Sequence, residues 1–274
     1  DQMRVERRAP PRTRIPVVTE GVLIRRLLDD PFLEQVDAVV LDEFHERHLD
    51  TDMALAMVRR VQETVRPDLK LVVMSATIAA EGVQRYLGDA PLVSCDVATH
   101  PVDIEYFPFV DERPLPLRVA AGVRTIMEVT PGDLLAFLLG VGEMLRTKAE
   151  LDADARRSDW QLLPLYGDLS ADEQDRVFLP SPRRKVVLAT NVAETSITIP
   201  GITAVVDSGV ARILEFDPAT GLNRLMLRPI SRASADQRAG RAGRTGAGRC
   251  LRVWPEAAHR TRPAIEVPEL QRRD

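Results

Sequence analysis

Residues 39–48 read Val39-Val40-Leu41-Asp42-Glu43-Phe44-His45-Glu46-Arg47-His48, and Ala38 extends the apolar run by one. A strand apolar on both faces belongs to a parallel sheet covered by helices. Ligands of such sheets bind beyond the carboxyl ends of the strands, which is where Asp42 and Glu43 stand. A carboxylate there can hold Mg²⁺, chiefly through water, while its neighbour polarises an attacking water. Taken alone, the pair equally suits an acidic loop opening the next helix, whose dipole favours Glu. His45 and His48 lie at i and i+3. No third ligand is evident and a His-Glu-x-x-His spacing is absent, which argues against zinc.

The same pattern recurs on either side. Leu71-Val72-Val73-Met74 ends in Ser75-Ala76-Thr77, either a helix N-cap for the segment near Ala79 or a hydroxyl relay beside Asp42 and Glu43. Further strands are expected at 15–18, 92–97, 102–107, 133–138, 162–166, 185–189, 203–206 and 250–254. Helical spacing marks 21–29, 51–64, 118–129, 142–155 and 170–178. This alternation implies an α/β fold with right-handed crossovers. Phe107–Leu117 holds three prolines in eleven residues, the mark of an extended connector. The expected division is therefore 1–106 for a first domain, 107–117 for a linker, 118–258 for a second domain and 259–274 for the start of another.

Two later stretches carry chemistry. Gln237-Arg238-Ala239-Gly240-Arg241-Ala242-Gly243-Arg244 repeats Arg every third residue. On a helix these guanidiniums share a face, and planar, permanently charged groups suit triphosphate oxygens. A solvated basic patch is the plainer alternative. Thr190-Asn191-Val192-Ala193-Glu194-Thr195-Ser196 follows an apolar strand and offers uncharged donors of the kind that contact nucleic-acid backbones. A capped turn is the alternative there.

The order of the motifs is more specific than any one of them. Asp-Glu-Phe-His, then Ser-Ala-Thr, then Thr-Asn-Val-Ala-Glu-Thr-Ser-Ile-Thr-Ile, then Gln-Arg-Ala-Gly-Arg-Ala-Gly-Arg resembles the superfamily-2 helicases of the DEAH/RHA group, most of all the bacterial HrpB-type branch. The resemblance runs from about Arg4 to the end of the chain. It implies two RecA-like domains with mostly parallel sheets, the first incomplete at its N-terminus, and an ATP-dependent enzyme using Mg²⁺. Asp42 would order the metal through water, and Glu43 would contribute to that site and activate the hydrolytic water. His45 would link the site to the second domain, and Ser75 and Thr77 would couple hydrolysis to strand movement. Gln237, Arg241 and Arg244 would reach the γ-phosphate across the cleft between the domains, and Asp207 would lie near the nucleotide. Thr19 and Arg25 match a strand-holding motif of the first domain; Asn191, Thr195 and Gly140 match its counterparts in the second. The implied partner is a single strand, RNA rather than DNA.

Composition narrows the reading further. The 274 residues carry 45% hydrophobic and 28% charged residues and a net charge of −4, as expected of a soluble protein and not of a generally basic nucleic-acid binder. With 7 Phe, 3 Tyr and 2 Trp, strand binding would rest on the phosphate backbone more than on base stacking. Cys95 and Cys250 are isolated, which fits a reducing compartment, and no apolar run is long enough to span a bilayer; a cytoplasmic location is expected. Only three of the 37 cations are lysines, namely Lys70, Lys148 and Lys185. None follows glycine or precedes Ser or Thr, so no phosphate loop ending in Gly-Lys-Ser/Thr exists in these residues. A fragment inactive by itself is therefore expected. The alternative is a non-catalytic nucleic-acid-binding relative that has lost its phosphate loop, and a nucleotide-dependent nuclease would need a further carboxylate cluster, which is not evident.

Overall fold

Leu23, Ile24 and Leu27 fall on one face of the first helix, α1 (Glu20–Asp29), as positions three and four apart do, and Leu27 is buried. The protein is seen in a computed structural model describing residues 13–76, 81–95, 100–194, 198–217, 220 and 222–272. It forms two compact units, Asp1–Leu92 with Pro268–Gln271 and Val93–Val267 with Arg272–Asp274. No helix among the described residues is long and apolar enough to cross a membrane.

In the first unit, β1 (Ala38–Leu41) is followed by α2 (Leu49–Thr64) and by β2 (Lys70–Val73), which lies parallel to β1 with Val39 opposite Leu71 and Leu41 opposite Val73. Then comes α3 (Glu81–Tyr86). Val39 and Leu41 are buried in one cluster with Ala54, Leu55 and Val58 of α2. Each such side chain contributes roughly 1.5–3 kcal/mol when fully buried. Val40 and Val72 on the other face are exposed. Cover on both faces, expected from the sequence, is thus found on one face among the described residues. Arg66 ties the loop before β1 in place, donating to the carbonyls of Leu33 (2.7 Å) and Val36 (3.1 Å). The expected strand at 15–18 is absent; Ile15 and Val17 lie exposed and pair with no strand among the described residues.

The second unit starts with β3 (Val102–Tyr106), α4 (Leu115–Val129), β4 (Asp133–Phe137), α5 (Val141–Ser158), β5 (Gln161–Leu165), α6 (Ala171–Phe178) and β6 (Lys185–Ala189). It continues with β7 (Ile202–Asp207), the hairpin β8 (Val210–Asp217) and β9 (Leu222–Pro229), α7 (Arg232–Gly240), β10 (Gly248–Arg252) and α8 (Glu256–Arg260). Six strands form one sheet in the order β3-β10-β7-β4-β6-β5, every pair parallel. Here the apolar runs do feed two faces. Leu134 and Ala136 of β4 pack with α4 and α5 around Val123, Ile126, Met144 and Leu151. Leu135 and Phe137 pack on the opposite face with Val177, Ala239 and Ala242. Arg184 caps the end of α4, donating to the carbonyls of Met127 (3.0 Å) and Gly132 (2.9 Å), which the helix itself cannot satisfy.

Four differences from the sequence reading follow. Val102–Tyr106, placed by its prolines' position at the end of the first domain, pairs with β10 as the edge of the second sheet. The prolines of 107–117 mark a helix start instead of a domain boundary: Pro114 is the N-cap of α4 and Pro116 lies in its first turn. No strand forms over 92–95, and 96–97 lie outside the described residues. The final stretch, expected as the start of another domain, begins within α8 of the second unit and ends in a short helix, α9 (Glu269–Arg272), while Pro268–Gln271 belongs to the first unit.

Candidate functional site

Beyond β1 the chain turns sharply. Asp42 is exposed, and one of its carboxylate oxygens, Oδ1, accepts from the Glu43 amide at 2.8 Å. Glu43 itself has φ 50° and ψ 34°, a left-handed conformation rare for a residue with a side chain. The turn that follows, Phe44–Glu46, ends at Arg47 in the same conformation (φ 51°). Two bonds lock this turn to β2: Met74 donates to Leu41 O (2.8 Å) and Phe44 donates to Met74 O (3.0 Å). The end of β2 is therefore held against the acidic loop.

His45 makes the same connection through its side chain. Its Nδ1 accepts from the Ala76 amide at 3.3 Å and lies 3.5 Å from Glu43 Oε2. One nitrogen cannot accept from Ala76 and donate to Glu43 at once. The Ala76 bond selects the neutral tautomer with the proton on Nε2, a buried atom with no partner among the described residues. Asp42, Glu43 and His45 share this turn, and Ser75 lies in the chain between Met74 and Ala76, which are both bonded to it; Thr77 lies outside the described residues. Within its own unit, the His45 side chain ties the acidic loop to the residue after Ser75. His48 turns instead to Glu46 at 3.1 Å. That hydrogen bond raises the His48 pKa above its ordinary value, against a smaller lowering from burial, with Glu20 and Glu269 adding to the rise. The two histidines therefore have separate partners.

In the second unit, the carboxyl ends of the central strands bring the remaining candidates together. Phe137 at the end of β4 is in register with Asp207 at the end of β7. Asp207 is fully buried; its Oδ1 accepts from Arg238 Nη1 (2.9 Å) and from the Gly209 amide (2.9 Å). Arg238 also donates through Nε to Glu194 Oε2 at 2.8 Å. Glu194 further accepts from the Ser234 hydroxyl and, through its carbonyl, from Arg241. Burial by itself would lower the Arg238 pKa, but the Glu194 and Asp207 carboxylates outweigh it and the net shift is upward. Arg244 is exposed and donates to the Thr198 hydroxyl.

The arginine row is consequently not one convergent face. The α-helix stops at Gly240 and a tighter turn carries Arg241–Gly243; Arg238 points into a buried ion-pair network, Arg241 to a carbonyl and Arg244 outward. Gln237 is half-buried on α7. Glu194, which assembles this network, had no role in the sequence reading, and Arg238, expected on a phosphate-facing row with Arg241 and Arg244, is instead its buried centre. The only signal was a single acid within an otherwise neutral loop, with an arginine row to match it.

Thr19 is the exposed N-cap of α1, and Arg25 is exposed one turn on. Gly140 is the N-cap of α5, and a Cβ there would stand 3.5 Å from the Arg212 guanidinium of β8. Asn191 is exposed in the turn after β6, and Thr195 lies outside the described residues.

No group of three His, Cys, Asp or Glu side chains among the described residues could cage a metal ion. A lone exposed carboxylate such as Asp42 fits Mg²⁺ held mainly by water and phosphate oxygens. The second unit is an open parallel α/β sheet with donor-rich loops at its carboxyl edge, and residues 133–246 match the family described as helicase conserved C-terminal domain.

Relatives extend the match to the whole chain. It is 44% identical over 275 residues to the ATP-dependent RNA helicase HrpB of Escherichia coli, covering 100% of this chain and 34% of that protein. It is 38% identical over 285 residues to the pre-mRNA-splicing factor ATP-dependent RNA helicase prp22 of Schizosaccharomyces pombe, covering 99% of this chain and 24% of the relative. A crystal structure of the Escherichia coli DEAH/RHA helicase HrpB superimposes with a TM-score of 0.89 at 45% identity, over 95% of this chain and 33% of that one. Over its whole length the chain is similar to helicases of the DEAH/RHA group, HrpB among them. It spans about a third of the Escherichia coli relative (34%) and about a quarter of the Schizosaccharomyces pombe one (24%).

Proposed function

We propose that this chain is a catalytic part of an ATP-dependent RNA helicase that couples hydrolysis to movement along a single strand. The observation that carries this reading is Glu43, fixed in a left-handed turn at the end of β1, beside Asp42 and within 3.5 Å of His45. A carboxylate held this way can orient water for attack on a phosphoryl group, since catalysis of that transfer is mostly positioning and electrostatics. Asp42 would hold Mg²⁺ through water, and the metal would neutralise charge on the phosphate oxygens when bound. His45, bonded to Ala76, would carry any shift at the acidic loop to Ser75 and Thr77. Arg241 and Arg244 supply guanidiniums for transition-state charge, with Gln237 beside them and Asp207 setting their base through Arg238. Thr19, Arg25, Gly140, Asn191 and Thr195 offer neutral donors, one cation and a close-approach glycine, which suits a backbone in either unit.

Relatives named as RNA helicases favour RNA over DNA as the strand. The 274 residues contain no lysine in a phosphate-loop context, so by themselves they should hydrolyse ATP weakly or not at all. The test is ATP hydrolysis by the parent protein with and without single-stranded RNA, alongside unwinding of an RNA duplex carrying a single-stranded tail. Strand-stimulated turnover with unwinding is expected. Turnover indifferent to any strand would remove the helicase reading, and no turnover at all would favour a non-catalytic binding relative.

A further inference from the structure

The start of α2 lacks a local cap. Its N-cap residue, His48, makes no side-chain bond to the first turn, so the amides there need acceptors from elsewhere. One comes from 220 residues further along the chain: Leu49 N donates to Glu269 Oε2 at 2.9 Å. In the reverse direction, Glu269 N donates to Arg47 O at 3.1 Å. A single residue thus closes two bonds on the tripeptide Arg47-His48-Leu49, one with its backbone and one with its side chain. Its carboxylate also lies at the positive end of the α2 dipole.

The tripeptide is the downstream anchor of the acidic loop. From Glu43 to Arg47 the backbone is a single tight turn, with Glu46 donating to Glu43 O (3.0 Å) and Arg47 donating to Phe44 O (3.2 Å). Both of its ends, Glu43 and Arg47, are left-handed. Upstream, the turn is fixed by β2 through Met74. Downstream, Arg47 is held by a paired bond to Asp52 (2.9 and 3.2 Å) and by the Glu269 clamp. Left-handed non-glycine residues persist only where their surroundings over-determine them.

We propose that Glu269 is a positioning residue for Glu43: the segment following the second unit fixes the geometry of the acidic loop by clamping Arg47 and Leu49. The catalytic consequence rests on the function proposed above, whereas the clamp itself does not. The clamp is tested on this 274-residue chain by amide hydrogen exchange over residues 44–50. Glu269→Ala should raise exchange there by about ten-fold or more, because it removes the acceptor for Leu49 and loosens the segment. Glu269→Gln retains a carbonyl oxygen for Leu49 and should restore most of the protection. Exchange over β1 and β2 reports whether the first unit remains folded and should not change. Unchanged protection of 44–50 in Glu269→Ala overturns the clamp. In the parent protein, Glu269→Ala should lower kcat about ten-fold at nearly constant KM for ATP, as displacement of a catalytic group does, and Glu269→Gln should recover it. Loosened exchange with unaltered kcat, in a parent whose wild type hydrolyses ATP, overturns the positioning role while leaving the function proposed above intact.

Discussion

The Arg238 guanidinium lies between two carboxylates, donating to Glu194 at 2.8 Å and to Asp207 at 2.9 Å, with only 1% of its surface exposed. It also stands 4.9 Å over the Phe137 ring. Replacing it with Ala strands the fully buried Asp207 carboxylate, and breaking such a pair costs about 3–5 kcal/mol. Urea unfolding of the 274-residue chain should show that loss for Arg238→Ala, with Arg238→Lys intermediate because it keeps the charge and loses the fork. A loss below about 1 kcal/mol would mean the pair is effectively solvated. The scarcity of lysine has a structural side as well. Arg66 and Arg184 each hold several carbonyls at loop and helix ends, a task for a planar group with five donors. Lys185, one of the three lysines, is buried and donates to Val177 O at 2.9 Å, so it serves the core and no phosphate.

Among the elements, the turn from β7 to β8 tolerates little change. Gly209 has φ 74°, and a Cβ there would meet the Trp254 ring at 2.4 Å and the Arg262 guanidinium at 2.6 Å. Gly209→Ala should cost about 2–4 kcal/mol, from left-handed strain and overpacking together. Gly167→Ala, whose Cβ would meet nothing within 4 Å, is the control. Equal melting temperatures for the two variants would contradict the crowding at Gly209. The elements also mark what a linear reading can recover. Strands β4 and β6 were legible because every second residue feeds each of two covered faces, leaving unbroken apolar runs. The hairpin β8–β9 was not, since Leu222, Leu225 and Leu227 point to solvent and no alternation sets them apart. The place of β3 was equally hidden. Its neighbour β10 lies almost 150 residues away, and parallel pairing leaves no turn signal between partners. Motif order named the candidate residues, but not the Glu194–Arg238–Asp207 network or the Glu269 clamp, because both are made by partners distant in sequence.

At the scale of the whole molecule, each unit carries its own set of groups. The first holds a carboxylate pair on a strained, doubly anchored turn; the second holds arginines seated on a buried ion-pair network. Glu43 is the residue on which the reaction proposed above most directly depends. Strand-stimulated ATP turnover by the parent protein, wild type against Glu43→Gln, is the most direct test. The substitution keeps size and hydrogen bonding but removes the charge that orients water. ATP binding should survive while kcat falls about 100-fold or more. Turnover within about two-fold of wild type, with ATP binding intact, would contradict the assignment of Glu43 as the group that activates water.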